Sequence, residues 1–247
     1  MSKTESNNIF STNINAIEEG INIGMETLNS SYNLKEIDCG RFTNLQIQTI
    51  TYNVKQYEIV GVGNLAIMNS KHSSDLQMFT FVITPYYKSL PLLSNDYIYI
   101  KDKRNFLIEY YDLVVEKDLI YKSYMERFQS IKDKYAYLPD MKLKECWYDS
   151  LKPVCTAKKT SDSEDRVIFS IFKENLDLLV EMEKAYETLS LNDMKAKWQI
   201  TQDYTDRLVD SGGVSTNVFK NALGDQATKD FFNEVFFGTK KFESIIE

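Results

Sequence analysis

The sequence predicts an α+β fold: a three-layer α/β/α sandwich around a central, mainly antiparallel sheet. Three observations predict it. The hydrophobic period switches from helical to two-residue near Cys39-Gly40 and back to helical near Glu116. Successive β-rich segments are joined too tightly for a parallel crossover, which takes about a dozen residues or more. A chain of 247 residues, 43% of them hydrophobic, holds enough core for one domain spanning residues 1–247. A helix, then a run of strands, then a run of helices is the order expected when helices cover both faces of one sheet. A split near Val115 into a β domain and a helical domain would leave one sheet face bare.

From Asn8 to Ser30, Phe10, Ile14, Ile17, Ile21 and Leu28 recur at steps of one helix face, and Gly20 and Gly24 weaken that helix. Past Cys39-Gly40, Leu45, Ile47, Thr49 and Thr51 alternate with Gln46, Gln48 and Ile50, with β-branched residues dominant, as in a strand. Tyr57 to Met68, Leu76 to Thr84, Tyr97 to Ile100 and Phe106 to Val115 continue that composition, with Asn53-Val54-Lys55-Gln56 read as a connection. From Glu116, Ile120, Tyr124, Phe128, Ile131 and Tyr135 form a helical stripe that Leu138-Pro139 ends. Lys142 to Lys159 reads as an irregular connection. Ser161 to Glu164 has the spacing of a capping box, and Ile168, Ile171, Phe172, Leu176, Leu179 and Tyr186 follow as the apolar face of a helix. Two short terminal helices close the chain, with Gly224 and Gly238 placed for left-handed C-terminal residues.

Composition excludes several function classes. The net charge of −7 argues against general attraction to nucleic acid or anionic lipid. No apolar run approaches the roughly 18 residues of a membrane span. The polar start, Ser2 to Asn8, lacks the order of a secretory signal, so a cytoplasmic protein is expected. Three cysteines, Cys39, Cys146 and Cys155, with no Cys-x-x-Cys pair and a single His72, support neither a metal site nor a disulfide framework. Gly61-Val62-Gly63 lies inside a strand pattern with no helix after it, so it reads as a bulge or a close approach rather than a dinucleotide fingerprint. Ser211-Gly212-Gly213 leads into a helix, whose N-terminus suits an anion, but equally reads as an ordinary loop. His72 falls in a polar turn and reads as solvated.

Leu76-Gln77-Met78-Phe79-Thr80-Phe81-Val82-Ile83-Thr84-Pro85, followed by Leu90-Pro91-Leu92-Leu93-Ser94-Asn95-Asp96 and Tyr111-Asp112-Leu113, resembles the signature of the ferredoxin-dependent bilin reductases. Leu138-Pro139, the Trp147 stretch, Phe219 to Gly224 and Phe231 to Phe237 extend the resemblance over most of 45–238. The resemblance implies a bilin held between the sheet and the C-terminal helices, no bound cofactor, no metal, and electrons from reduced ferredoxin or flavodoxin. The family's central aspartate falls on Asp96, and a second acid, expected before the C-terminal helices, falls near Asp210. Phycocyanobilin-forming members carry a His where Thr80 stands and a Glu where Ile67 or Met68 stands. That departure points to the phycoerythrobilin or phytochromobilin branch, or to red chlorophyll catabolite reductase.

The chemistry expected of such a protein needs few residue types. A linear tetrapyrrole takes electrons singly because its conjugation spreads the radical, so the protein's task is to supply protons. A carboxyl shielded from water stays protonated near neutral pH and can donate, which is the role expected of Asp96, with Asp210 as a second donor coupled to it. Thr80 and Met68 line the expected pocket, and Arg207, Ser215 and Lys220 are candidates to hold the propionates. A monomer is expected, with an acidic ferredoxin docking on Lys101 to Arg104, Lys152, Lys158 and Lys159. The rival expectation is a non-catalytic tetrapyrrole-binding or carrier protein that keeps the sandwich but has lost proton donors, motivated by the missing Glu and His.

Overall fold

The computed structural model describes residues 3–245; Met1 and Ser2, where the polar N-terminal run begins, lie outside them. The first element, α1 (Lys3–Asn29), packs against the sheet and a later helix. Its glycines are the reason it lies so close. A Cβ on Gly20 would stand 2.5 Å from Cζ of Phe79, and one on Gly24 2.6 Å from Cε2 of Phe81. The residues that weaken the helix locally are thus the ones that let it seat on two buried rings.

Eight strands follow: β1 (Leu34–Ile37), β2 (Asn44–Ile47), β3 (Ile50–Ile59), β4 (Gly63–Asn69), β5 (Gln77–Pro85), β6 (Leu92–Ile100), β7 (Lys103–Tyr111) and β8 (Val154–Ser161). They form one sheet in the order β1-β3-β4-β5-β6-β7-β8, with β2 also paired to β3, and every pairing is antiparallel. Asn53 to Gln56 is strand interior rather than a connection. Gln56 is buried there because its amide donates to Asn64 Oδ1 at 2.8 Å and to the Glu234 carbonyl at 3.0 Å. Tyr57 to Met68 is two strands, not one, with Gly61 in the hairpin between them. Gly63 is pressed to the neighbouring strand, where a Cβ would meet the Thr84 carbonyl oxygen at 2.2 Å. The expected close approach at this glycine pair is therefore made by backbone.

The helices are α2 (Leu119–Lys134), α3 (Asp165–Lys184), α4 (Leu191–Ser211), α5 (Val214–Leu223) and α6 (Asp225–Phe231), the last running into a π turn at Phe232–Phe236. The expected capping box holds: the Ser161 backbone N–H donates to Glu164 at 2.8 Å just before α3. Gly224 and Gly238 take the expected left-handed conformation.

Residue alternation in each strand separates two cores. On the first face Ile67, Phe79, Phe81, Tyr97, Phe106, Ile108 and Tyr110 pack against α1, α2 and α3. Phe79 and Tyr97 stack there with centroids 4.4 Å apart. On the second face Val54, Met68, Val82, Leu92 and Tyr111 pack against Tyr204 and Leu208 of α4, Phe219 of α5, and Phe231, Phe232 and Val235 beyond. Fully burying each such side chain contributes roughly 1.5–3 kcal/mol. The result is the three-layer α/β/α sandwich that the sequence predicts. Among the described residues, no helix is long and apolar enough to cross a membrane.

Candidate functional site

The second face is unevenly covered, and Asp96 lies where its burial becomes partial. A row of paired residues crosses the sheet in the order Val54, Met68, Thr80, Asp96, Leu107, Ala157. Val54, Met68 and Thr80 are buried beneath the C-terminal helices, whereas Asp96, Leu107 and Ala157 keep partial exposure, as do Met78, Ile98 and Asn105 beside them. Asp96 therefore stands where the fully buried part of this face gives way to a partly exposed, mostly apolar strip.

Register sets the carboxyl's first partner. Thr80 lies opposite Asp96, and its Oγ1 donates to Asp96 Oδ1 at 2.5 Å. Burial pushes the Asp96 carboxyl up from 3.8 to about 6; the Thr80 hydrogen bond pulls it down, and the charge of Glu109 pushes it up further. A group with proton affinity this close to neutral exchanges protons readily at working pH, as a donor must.

Beyond Asp96 the face is polar and aromatic. Glu109 on β7 is buried; it accepts from Tyr111 Oη at 2.9 Å and is ion-paired with Lys152 Nζ at 2.6 Å. Lys152 also pairs with Asp149 at 2.8 Å. Burial alone would lower the Lys152 ammonium, but Glu109 and Asp149 hold it above its ordinary value. Burial pushes the Cys155 thiol up to about 12, with Glu109 adding to the rise, so it carries no thiolate chemistry here. Tyr204 tilts against both Tyr111 and Trp147, with centroids at 5.4 and 5.9 Å, and these rings form the wall at this end.

The other residues singled out in the sequence are placed as follows. Asp210 is exposed in the last turn of α4, where its charge acts on Lys229, whereas Glu109 is the carboxylate whose charge acts on Asp96. Ser215 is exposed in the first turn of α5. Lys220 is spent on structure: it donates to the Val209 carbonyl at 2.6 Å and pairs with Asp225 at 3.4 Å, tying α4, α5 and α6 together. Arg207 lies over the Trp147 ring at 4.1 Å, on the outer side of the aromatic wall. The basic patch is smaller than the sequence suggests. Arg104 is buried against Asp165 at 2.8 Å, Lys158 against Asp140 at 2.7 Å, and Lys152 against Glu109, because each lies on a strand or turn that turns its side chain inward. Lys101, Lys103 and Lys159 remain exposed, and Lys103 and Lys159 belong to the Asp96 face. Sequence reading missed Glu109, which the strand register puts on the Asp96 face with Leu107 and Tyr111.

A groove lies elsewhere, on the first face between α1 and β2–β4, with a volume of about 770 Å³ and His72, Lys55, Tyr57 and Ile67 in its lining. Its carboxyl, Glu18, is held below the usual range by a hydrogen bond and the charge of Lys71. Glu18 is thus shifted in the opposite direction from Asp96, whose carboxyl is raised. His72 itself is exposed in its turn, as expected.

Fold and site together define an α/β/α sandwich with a near-neutral acid at the border between the buried and the partly exposed parts of one sheet face. The chain is similar to the crystal structure of phytochromobilin synthase from tomato in complex with biliverdin, with a TM-score of 0.72 and 15% sequence identity over 91% of this chain and 83% of that one. The resemblance carried by the sequence motifs thus extends to the fold. No protein-family profile matches the chain, and no curated protein sequence matches it.

Proposed function

We propose that the chain binds an open-chain tetrapyrrole of the biliverdin type against the partly exposed strip of the second face and reduces it, with Asp96 as proton donor. The observation that carries the reading is the Asp96 carboxyl, raised to about 6 and standing at the edge of that strip. The fold shared with the tomato enzyme, itself in complex with biliverdin, supports it.

The strip suits such a ligand. Met78, Ile98, Leu107 and Ala157 offer a flat apolar bed for a conjugated system, and the exposed Lys103 and Lys159 offer charge for its carboxylates where desolvation is slight. A pigment laid over Asp96 displaces the remaining water, which disfavours the carboxylate further and keeps the proton on the acid until the pigment needs it. Electrons enter one at a time from reduced ferredoxin, each addition making the pigment more basic toward that proton. The exposed lysines, on a protein of net charge −7, are the local positive field for an acidic electron donor. A carrier role is the second reading, favoured by the exposed position of Asp210, which leaves Asp96 without that partner.

Biliverdin added to the protein under anaerobic conditions tests the proposal. A changed absorption spectrum that reduced ferredoxin then bleaches or shifts is expected. Asp96→Asn should keep the bound spectrum and lose turnover by at least a hundredfold, the usual scale of a lost general acid, about 10²–10⁴. A spectrum untouched by mixing overturns both tetrapyrrole readings, and a bound pigment that reduced ferredoxin leaves unchanged selects the carrier.

A further inference from the structure

Asp96 shares its sheet face with a second carboxylate in the neighbouring strand. Ser94 pairs with Glu109 and Asp96 with Leu107, so the two acids stand diagonally across β6 and β7. Such diagonal positions lie about 7–8 Å apart, within reach of long side chains. The chain fixes Glu109 from several sides. Lys152 Nζ sits at 2.6 Å from Oε1, Tyr111 Oη donates to Oε2 at 2.9 Å, and Cys155 Sγ lies 3.8 Å from Oε1. Lys152 is itself held by Asp149 and lies over the Tyr148 ring at 4.8 Å. We propose that Glu109 is a positioning residue of this site: its anchored negative charge keeps the transferable proton on Asp96, and Lys152 and Tyr111 keep Glu109 where it can do so. This assignment rests on the tetrapyrrole reading for its catalytic meaning, but not for its test.

The charged and titratable groups of the neighbouring elements on the Asp96 face are Glu109, Tyr111 and Lys103 on β7, Cys155 and Lys159 on β8, Lys152 with its partner Asp149 in the turn before β8, and Tyr204 of α4 against Tyr111. Among them Glu109 is the one whose charge acts on the Asp96 carboxyl. A like charge nearby disfavours a second ionisation, the more so where part of the solvent is excluded. The two acids are thus made different by their partners: a cation and a phenol for Glu109, a single hydroxyl for Asp96. An ion-paired acid is a poor donor, so Glu109 works through Asp96 rather than replacing the second donor expected at Asp210.

Glu109→Gln preserves the size and the acceptor oxygen and removes the charge. The Asp96 titration is read in pigment-free protein by carboxyl-carbon NMR of aspartate-labelled samples, with the Asp96 signal assigned by its loss in Asp96→Asn. The midpoint should fall by about half a unit or more in Glu109→Gln and stay near its original position in Glu109→Asp, which restores the charge. In the pH profile of pigment reduction, the alkaline limb should move the same way, with KM little changed. Lys152→Met is the second probe, because loss of the cation leaves Glu109 unneutralised and should move the midpoint up. A midpoint unmoved in either variant, with the fold intact by circular dichroism, overturns the assignment whether or not the pigment binds. A shifted midpoint in a protein that ignores biliverdin upholds the assignment and removes only the tetrapyrrole chemistry.

Discussion

Replacing Asp96 by Asn should stabilise the protein at neutral pH and leave its stability unchanged in acid. Burial raises the folded carboxyl from 3.8 to about 6. Below 3.8 both folded and unfolded chains hold the proton, and the group is neutral to stability. Between 3.8 and about 6 the folded chain holds it while the unfolded chain has released it, so stability falls as pH rises through this window; above 6 the full cost applies. A shift of about two units corresponds to roughly 3 kcal/mol, and the partial exposure of Asp96 reduces this to about 1–2 kcal/mol. Asparagine still accepts from the Thr80 hydroxyl and carries no charge. Urea or thermal melts of both proteins at pH 4 and pH 7.5 measure the effect, and the expected gain at pH 7.5 is about 2–8 °C in Tm for a chain of this size. A variant no more stable than the parent at pH 7.5, or one equally more stable at both pH values, would refute the claim that burial, and not some packing effect, holds the Asp96 proton.

Two further outcomes are expected. Gly24→Ala gains about 1 kcal/mol of helix propensity, but its Cβ meets Cε2 of Phe81 at 2.6 Å in a closed layer; the net effect in urea melts should be a loss of about 1–3 kcal/mol, and any net gain would contradict the seating of α1. Lys197, buried on α4, donates to the Leu90 and Leu113 carbonyls at 2.8 and 2.6 Å, and burial pulls its amine from 10.5 down to about 7. The unfolded chain binds the extra proton between these values, so stability from this group rises with pH across the window. Lys197→Met lacks that rise, and the parent-minus-variant free energy should grow by about 1.4 kcal/mol per pH unit from pH 7 to 9.5. A flat difference would mean that the amine is not desolvated in the folded state.

What could and could not be read from the sequence follows from where polar groups are buried. β5, β7 and α3 were legible to within a few residues, whereas β6 was read only from Tyr97 onward and its first half, Leu92 to Asp96, was not read as strand. β8 was missed because Lys158 breaks its apolar face, and that lysine is inside only because Asp140 and the Leu138 carbonyl receive it. α4 was missed for the same reason: Lys197, Thr201 and Thr205 occupy its inward face, the threonines bonding back to carbonyls four residues earlier. In the site, Asp96 and Thr80 were reached through the motif around them. Glu109 was not, because a lone carboxylate in a strand is most often a surface group, and only the strand register shows that it looks onto Asp96. Arg104, Lys152 and Lys158 were read as surface charge, since nothing local announces the partners that draw them in.

The order of the layers along the chain has a consequence for biosynthesis. The last strand ends at Ser161 and the first face is sealed once α3 is complete at Lys184, but the helices over the other face begin only at Leu191. At ribosomal rates of about 5–20 residues per second, the nascent protein spends several seconds with Leu92, Val82 and Tyr111 wet and a finished sheet beneath them. Chaperones would find their exposed surface there, on the same side that later shelters the acid, and shortened chains ending before Leu191 should aggregate through it.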